Sequence, residues 1–377
     1  MNIWFPFPLK IAFRFVFKFV EMMLQVVTFF RTLGNSDPSC LLLNGLEFSE
    51  RETLEKGTPT TETSSKTSVR LLCVVPFRDK WFLTKQCLNA LLMQKRQGFD
   101  VCIVLADNGS CERETEEGLA WAQRELPLQG IRVCVYRDNS PFNFSALNNR
   151  AVAFATGATF GTSATFGTSL QVAANSVFPT HFLATHILFL NNDLFLRSNT
   201  DLSRLVEFFV EHHNIGALGA TLLYANNKIQ HLFLCPGIKI VAAHPCKGFD
   251  YNKRWEWFRC PRVVPAVTGA LLMTNANDFV AVGGFDERLA RIGQDLDLCL
   301  KLEQLGLVNY VLPQVVCTHH ETATMKPHFD RLEIELLYSK WGNILLWHPK
   351  VPRSLSRWSE KPALSLNEGC YPWQRVI

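Results

Sequence analysis

The chain has 377 residues, of which 47% are hydrophobic and 19% charged, a globular composition that excludes a disordered or collagen-like protein. Its formal net charge is +4 at pH 7, and a net +3, from four basic residues and one acid, lies within residues 1–31. The rest of the chain is nearly neutral, which argues against nucleic-acid binding, because nucleic-acid binders carry a basic patch on the folded domain.

Residues 1–31 are rich in aromatic and apolar side chains, so a signal peptide, a membrane span and an interfacial helix must be compared. A span needs about 20 predominantly apolar residues, but three charges interrupt residues 11–30. A secretory signal has its positive charge before the apolar region. The pattern favours an amphipathic helix on the membrane surface, with packing on the folded domain or a true span as alternatives. The polar residues at helical spacing are Lys10, Arg14, Lys18, Glu21 and Gln25.

Residues 51–68 consist mainly of Thr, Ser, Glu and Lys, with Leu54 as their only large apolar residue. Such a composition cannot bury a core, and we interpret residues 32–68 as a polar linker. The twelve cysteines are scattered and include no Cys-x-x-Cys pair. This argues against a disulfide framework or a zinc knuckle and predicts a reducing, cytosolic compartment.

Ordered structure is predicted to begin near residue 69. Continuous apolar runs at 71–75 and 101–105 predict buried strands, and helical spacing within 80–95 predicts the helix between them. Two further strands are predicted at 131–136 and 187–190. Strand, helix and strand in this order, with runs buried on both faces, are typical of a parallel α/β sheet.

Before the fourth strand, the six residues 158–163 are repeated identically at 164–169, within a low-complexity insertion of about 158–185. Two copies do not make a solenoid, and a surface loop is the interpretation. A helix at 295–304, a strand at 311–317 and a helix at 329–347 complete a predicted domain of residues 69–346. Residues 347–377 are interpreted as a tail.

Polar clusters follow four of the predicted strands. In open α/β sheets, ligands bind at the carboxyl ends of strands, so the clusters are expected at one edge of the sheet. Each alone is weak evidence, because Asp and Asn are common turn formers. Together they predict a nucleotide and metal site. The clusters are Phe77-Arg78-Asp79, Asp107-Asn108, Asn191-Asn192-Asp193 and His319-His320.

With other motifs in the same order, these clusters resemble the family 2 inverting glycosyltransferases, which have the GT-A fold. The resemblance covers roughly residues 69–346. Within the family, the sequence is most similar to the branch of rhamnosyltransferases and other enzymes that make bacterial surface polysaccharides. It implies a Rossmann-like α/β domain with a mainly parallel sheet flanked by helices. The motifs lie at residues 74–80, 107–110, 142–149, 189–193, 267–270, 283–287, 294–299 and 319–321.

Carried over by position, the resemblance implies a role for each motif residue. Asp295 is the implied catalytic base. Asp193, with one of His319 and His320, is implied to hold Mg²⁺ or Mn²⁺; successive strand residues face opposite ways, and we favour His320. The implied nucleotide-binding residues are Pro76, Phe77, Arg78, Asp79, Asp107, Asn148 and Asn192. The implied sugar or acceptor contacts are Gly269, Ala270, Asp286 and Gln294.

The implied reaction is a single displacement with inversion, from a nucleotide-diphosphate sugar to a hydroxyl of a glycan or lipid-linked acceptor. A divalent ion stabilises charge on the leaving phosphates, and Mg²⁺ commonly needs only one or two protein carboxylates. One further carboxylate is enough to take the acceptor proton. With the N-terminal helix, this predicts polysaccharide synthesis on the cytoplasmic face of the membrane, without a nucleic-acid partner.

Two features depart from the family pattern. Gln294-Asp295 replaces the usual Glu-Asp pair, which removes a charge that raises the pKa of a neighbouring base, and the insertion precedes the metal strand. A catalytically inactive sugar-nucleotide or glycan-binding relative and a nucleotidyltransferase remain alternative functions. A role as helix cap for Asp295, and Asp297 as the base, also remain open. Trp255 and Trp257 either stack on an acceptor sugar or pack in the core.

Overall fold

A computed structural model describes residues 69–158, 181–238, 241–253, 256–320, 330–346 and 348–351. The predicted membrane-surface helix, the linker, the repeat and most of the tail lie outside these residues, as does Trp255. Across the described ranges, no helix combines the length and apolar character that crossing a membrane requires.

The described residues form a mixture of strands and helices. The strands are β1 (Val69–Phe77), β2 (Phe99–Asp107), β3 (Arg132–Arg137), β4 (His186–Leu190), β5 (Leu194–Leu196), β6 (Ile215–Leu223), β7 (Ile229–His231), β8 (Cys235–Pro236), β9 (Ala242–Ala243), β10 (Arg262–Val263), β11 (Leu271–Asn275) and β12 (Val308–His319). The helices are α1 (Trp81–Leu92), α2 (Arg113–Leu128), α3 (Phe144–Thr156), α4 (Asp201–Glu211), α5 (Ala276–Ala281), α6 (Gln294–Gln304) and α7 (Arg331–Leu346), with a 3₁₀ turn at Glu256–Arg259.

Ten strands form one sheet in the order β10-β12-β6-β11-β4-β1-β2-β3, with β5 beside β12 and β7 beside β6. Strands β4, β1, β2 and β3 are parallel to one another, and β6 is parallel to β12. Strand β11 is antiparallel to both of its neighbours, β4 and β6. The predicted α/β class, with a central sheet flanked by helices, is confirmed, and the sheet is mixed because β11 runs against its neighbours.

The two faces of the sheet bury separate apolar cores. In β1, Leu71, Cys73 and Val75 face one core, whereas Leu72 and Val74 face the other, as the two-residue period of a strand requires. Helices α1, α2 and α4 cover the first core, and α3, α6 and α7 cover the second. Because both faces are covered, the central strands are continuous apolar runs, which makes them recognisable in the sequence.

Some side chains that the sequence leaves ambiguous belong to these cores. Trp257 is 1% exposed and stacks on Phe233, with ring centroids 5.3 Å apart. It is a packing residue, so the alternative of stacking on an acceptor sugar does not apply to it. All ten cysteines in the described ranges are free thiols, and eight of them are buried as small apolar side chains.

Candidate functional site

A pocket of about 890 Å³ lies at the edge of the sheet where β1, β4 and β12 end. Strand β11 contributes its beginning to this edge, because it runs antiparallel to β4. Helix α6 begins there too, and its first residues reach the pocket wall. The pocket therefore occupies the position at which α/β sheets bind ligands. The predicted site residues in its wall are Pro76, Phe77, Arg78, Asp79, Asn192, Asp193, Gly269, Ala270, Gln294, Asp295 and His319.

Asp193 and His319 meet in the pocket wall, with Oδ1 of Asp193 3.1 Å from Nε2 of His319. The short antiparallel pairing of β5 with the end of β12 brings them together, since His319 lies opposite Leu194 in this pairing. The backbone N–H of His320 also donates to the carbonyl oxygen of Asp193, at 3.0 Å. The acid and the imidazole are thus placed by backbone pairing.

Hydrogen bonds fix the tautomer of His319. Its Nδ1 is 2.8 Å from the amide oxygen of Gln230, which can only accept, so Nδ1 carries the proton. Nε2 lies 3.3 Å from the amide nitrogen of Asn191 and 3.1 Å from Oδ1 of Asp193. Two acceptor atoms at 3.1 Å suit a cation bound by both, because adjacent octahedral ligands with bonds of about 2.1 Å stand about 3 Å apart.

Carboxylate oxygen and imidazole nitrogen are donors that Mn²⁺ and other divalent ions accept. Among the described residues, no group of three or more His, Cys, Asp and Glu side chains is arranged to hold a metal. The Asp193–His319 pair leaves the rest of a coordination shell to substrate phosphates and water, which is the usual arrangement for ions that act on phosphates. The residues present therefore fit the predicted ion.

His320 lies outside the pocket, although the sequence analysis favours it over His319 as the metal ligand. Its side chain is exposed, and its ring packs edge-on against Phe195 with centroids 5.0 Å apart. Neighbouring residues of an extended chain point to opposite sides, and the register with β5 turns the first of the two histidines inward. The geometry therefore favours His319 over His320 as the residue that faces the pocket.

The carboxylate of Asp295 lies in the pocket wall at the first turn of α6. Its Oδ2 accepts from the backbone N–H of Gly269 at 3.0 Å, and its Oδ1 accepts from that of Leu296 at 2.9 Å. A side chain at position 269 would crowd the site, because a Cβ there would lie 3.2 Å from Cζ of Phe144. Burial raises the pKa of Asp295 in spite of its hydrogen bonds. The N-cap of α6 is Gly293, so Asp295 is not the capping residue.

Asp297 does not line the pocket. It is fully buried, accepts a hydrogen bond from Nε1 of Trp341 at 2.8 Å, and forms ion pairs with Lys340 and Lys301. These partners place it between α6 and α7. Asp297 is therefore a buried residue that joins two helices, whereas Asp295 is the carboxylate that a ligand in the pocket can reach.

The loop after β1 is held by the loop after β2. Asp79 and Lys80 both have left-handed backbones, with φ of 53° and 48°. The carboxylate of Asp79 accepts from the N–H groups of Cys111 and Glu112, at 2.7 and 2.9 Å, and its own N–H donates to Ser110 Oγ at 2.7 Å. Backbone strain of this kind persists where surrounding contacts over-determine the conformation. Asp79 thus shapes the pocket wall through the backbone.

Two predicted nucleotide-binding residues, Asp107 and Asn148, lie outside the pocket wall. Asp107 is buried at the end of β2, where its carboxylate accepts from the N–H of Ser110 at 2.9 Å. Asn148 is buried within α3 and donates to the carbonyl of Phe144, one turn earlier, at 2.8 Å. The carboxylate of Asp107 and the amide nitrogen of Asn148 are thus used within the fold, whereas the buried amide oxygen of Asn148 has no hydrogen-bond partner among the described residues. Asn108, which follows Asp107, lines the pocket instead.

Asp286, a predicted sugar or acceptor contact, is also outside the pocket wall. It forms ion pairs with Arg288 and Lys340, at 2.7 and 2.8 Å. Burial acts to raise the pKa of Asp286, but the hydrogen bonds from Arg288 and Lys340 outweigh it and hold that pKa well below its usual value. Its carboxylate binds Lys340 of α7 and so holds this helix against the turn that contains Asp286.

The sequence does not identify several pocket residues, because they come from segments too short to show a recognisable hydrophobic period. Four come from β7 and the segment around β9, and one comes from the loop before α6. The available signal is weak: a polar pair at 230–231 within an apolar run. These residues are Gln230, His231, His244, Lys247 and Arg291.

His231 and His244 form a pair in the pocket wall, with their Nδ1 atoms 2.8 Å apart. The N–H of Thr268 donates to Nε2 of His231 at 3.3 Å, so the proton of His231 is on Nδ1 and is donated to His244. Burial lowers the pKa of His231 well below its usual value, and the positive charges possible on His244 and His319 lower it further. Nε2 of His231 thus holds the backbone of Thr268, which precedes Gly269.

No family model matches the chain. Two curated relatives are each 28% identical to it: the uncharacterized protein y4gI of Sinorhizobium fredii over 327 residues, and the O-antigen biosynthesis protein RfbC of Myxococcus xanthus over 260 residues. These matches cover 82% and 67% of this chain, but only 30% and 17% of the relatives. The chain therefore spans less than a third of the length of either relative.

Among solved structures, the chain is similar to GalNAc-T7 with UDP, GalNAc and Mn²⁺. The TM-score is 0.53 at 12% identity, over 74% of this chain and 50% of that one. At this identity the likeness is one of fold. The mixed sheet flanked by helices is the GT-A fold that the sequence motifs imply, and that prediction is confirmed.

Proposed function

We propose that the protein is a metal-dependent, inverting glycosyltransferase. It transfers a sugar from a nucleotide-diphosphate donor to a hydroxyl of a glycan or lipid-linked acceptor. One observation carries the proposal: the Asp193–His319 pair and Asp295 line the same pocket. A site for the leaving group and a base for the acceptor are the two functions that a single displacement needs.

The leaving-group side of the pocket is built on the Asp193–His319 pair. Oδ1 of Asp193 and Nε2 of His319 are the atoms that hold Mg²⁺ or Mn²⁺ in this proposal. The ion, when bound, supplies Lewis-acid stabilisation of the charge that develops on the departing diphosphate, worth several kcal/mol. Gln230 accepts from Nδ1 of His319 and so orients the imidazole, as partners behind a metal ligand generally do.

The nucleoside side is assigned to the loop after β1. Pro76, Phe77 and Arg78 line this part of the pocket, and Asn108 closes it from the end of β2. Asp79 contributes by tying the two loops together. We assign the sugar to the wall around Gly269, where the absence of a side chain leaves room beside the base.

Asp295 is the proposed base. It takes the proton of the acceptor hydroxyl while the acceptor oxygen attacks the anomeric carbon and the bond to the diphosphate breaks. Attack opposite the leaving group inverts the configuration, so no second carboxylate is needed as a nucleophile. The raised pKa of Asp295 brings it closer to neutral pH, which improves a general base. Burial causes this shift, so the neutral Gln294 next to it does not prevent the role.

We further propose a place in surface-polysaccharide synthesis, in the rhamnosyltransferase-like branch of family 2. The similarity to an O-antigen biosynthesis protein supports the pathway, and the motif order supports the branch. The helical spacing of charges in residues 1–31 supports attachment to the cytoplasmic membrane surface.

The proposal is tested by nucleotide binding followed by transfer. Thermal stability is measured with UDP, GDP and dTDP, each with Mn²⁺ or with EDTA, since a ligand raises the melting temperature by mass action. We expect one nucleotide to stabilise the wild type only with Mn²⁺, and its sugar conjugates to act as donors. Stabilisation that is equal in EDTA, or binding without transfer to any glycan or lipid-linked acceptor, contradicts the proposal.

A further inference from the structure

The loop before α6 carries one pocket residue, Arg291, but has no regular structure of its own. Residues 286–293 form this loop and lead into α6. Arg291 in the loop and Asp295 in the first turn of α6 both reach the pocket wall. One side of this loop is held by α3, because the N–H of Phe144 donates to the carbonyl of Ala290 at 2.9 Å. The other side of the loop contacts α7, at a position 42 residues later in the sequence.

A buried carboxylate of α7 binds the backbone of this loop. Oε2 of Glu333 accepts the backbone N–H of Ile292 at 2.7 Å and that of Arg291 at 3.1 Å. Glu333 is only 5% exposed. A buried carboxylate that accepts two N–H groups makes strong, charge-assisted bonds, and removing it leaves both donors without this partner.

Other contacts of α7 reinforce this placement around the same segment. Leu337 packs against Gly293 so closely that a Cβ on the glycine would lie 2.5 Å from Leu337 Cδ1. Trp341 and Lys340 bind Asp297, two residues beyond Asp295. Helix α7 therefore contacts the chain immediately before and after the proposed base.

We propose that Glu333 is a positioning residue of the transfer reaction, which holds the loop so that Asp295 and Arg291 face the substrates. The role rests on the proposed function. Glu333 does not line the pocket itself and acts through the backbone of Arg291 and Ile292. The guanidinium of Arg291 then lies over the ring of Phe142, 5.7 Å from its centroid, in the pocket wall.

The test compares length and charge at position 333. Glu333→Gln keeps an oxygen at the same distance that accepts both N–H groups, whereas Glu333→Asp keeps the charge but is one methylene too short. We expect Glu333→Asp and Glu333→Ala to lower kcat about 10²-fold, the loss typical of a displacement of about 1 Å in a catalytic group. Glu333→Gln retains most of the wild-type kcat.

The control is Glu335→Ala on the same helix. Glu335 is exposed and pairs with Arg331 at 2.7 Å, away from the pocket, so this variant has wild-type kinetics. Binding of Mn²⁺ with whichever of UDP, GDP and dTDP stabilises the wild type is measured by calorimetry. It stays within about twofold in all four variants, because the side chain of Glu333 binds the loop before α6 and not the Asp193–His319 pair.

The pH dependence of kcat distinguishes a change in the position of Asp295 from a general loss of stability. If Asp295 moves into a wetter place, its pKa falls, so the acid limb of kcat shifts to lower pH in Glu333→Asp. Wild-type kcat in a folded Glu333→Asp or Glu333→Ala protein overturns the role of Glu333. Should Glu333→Ala not fold, the Asp and Gln pair decides. A wild type that neither binds a nucleotide with Mn²⁺ nor transfers sugar overturns the proposed function itself.

Discussion

His319 and His320 are neighbours in the sequence, yet their surroundings differ completely. His319 is buried between Asp193 and Gln230, while His320 is exposed beside Phe195. This difference supports the proposal that His319, and not His320, is a metal ligand. The two histidines are therefore a matched pair of variant and control.

We expect His319→Ala to weaken Mn²⁺-dependent nucleotide binding by at least about 10-fold, because even partners behind a metal ligand contribute 10–100-fold. His320→Ala stays within about twofold of wild type, since its ring is outside the pocket. Calorimetric titration of each variant with Mn²⁺ and nucleotide measures both. Equal losses in the two variants contradict the assignment of His319.

The pKa of Asp295 sets the pH dependence of transfer. Only the ionised form accepts a proton, so kcat falls about tenfold per pH unit below this pKa. Because burial raises that pKa above the ordinary carboxyl value of about 3.9, the fall begins at a higher pH than for an exposed aspartate. The measurement is kcat from about pH 4 to pH 8, with donor and Mn²⁺ saturating. A flat profile down to the ordinary carboxyl range contradicts this environment.

At the scale of elements, short strands position the side chains of the site. Strand β5 has three residues and β7 has three, yet they supply the pairing that carries Asp193 to His319 and the position of Gln230. Such segments are too short for a period to be recognised. This explains why the sequence predicts β1, β2 and β4 and the ends of β1 and β4, but not the histidine pair at 231 and 244; the long buried strand β6 is also missed.

Gly293 links α6 to α7 through its backbone and its lack of a side chain. It has φ of 69°, and a Cβ would collide with Leu337. We expect Gly293→Ala to destabilise the fold by about 1–3 kcal/mol and to reduce kcat. Gly306→Ala is the control, because its φ is 81° but its Cβ would meet open space. Urea unfolding compares the two; equal destabilisation argues that strain alone, without the contact to α7, sets the effect.

At the scale of the whole molecule, the α/β class follows from the sequence because the central strands are buried on both faces. Strand β11 and its reversed direction do not follow, since its three apolar residues are followed by Thr274 and Asn275 and carry no signal of strand direction. The role of α7 is equally invisible, because Glu333 and Arg291 are 42 positions apart and only tertiary packing joins them. Local patterns predict the motifs, and long-range contacts complete the pocket.

Removal of residues 1–31 tests the proposed membrane attachment. Three basic residues on one helical face each add about 1 kcal/mol of attraction to an anionic surface. We expect the truncated protein to remain soluble when sedimented with anionic liposomes, with the melting temperature of the full chain. Co-sedimentation as strong as that of the full chain contradicts the membrane role of this segment.

The central claim is that Asp193 serves the leaving group and Asp295 serves the acceptor proton within one pocket. The most direct measurement is nucleotide binding and sugar transfer by Asp193→Ala and Asp295→Asn, side by side. We predict that Asp193→Ala loses Mn²⁺-dependent binding. Asp295→Asn binds nucleotide with Mn²⁺ as the wild type does and transfers sugar about 10²–10⁴-fold more slowly. Transfer by Asp295→Asn at the wild-type rate contradicts the account.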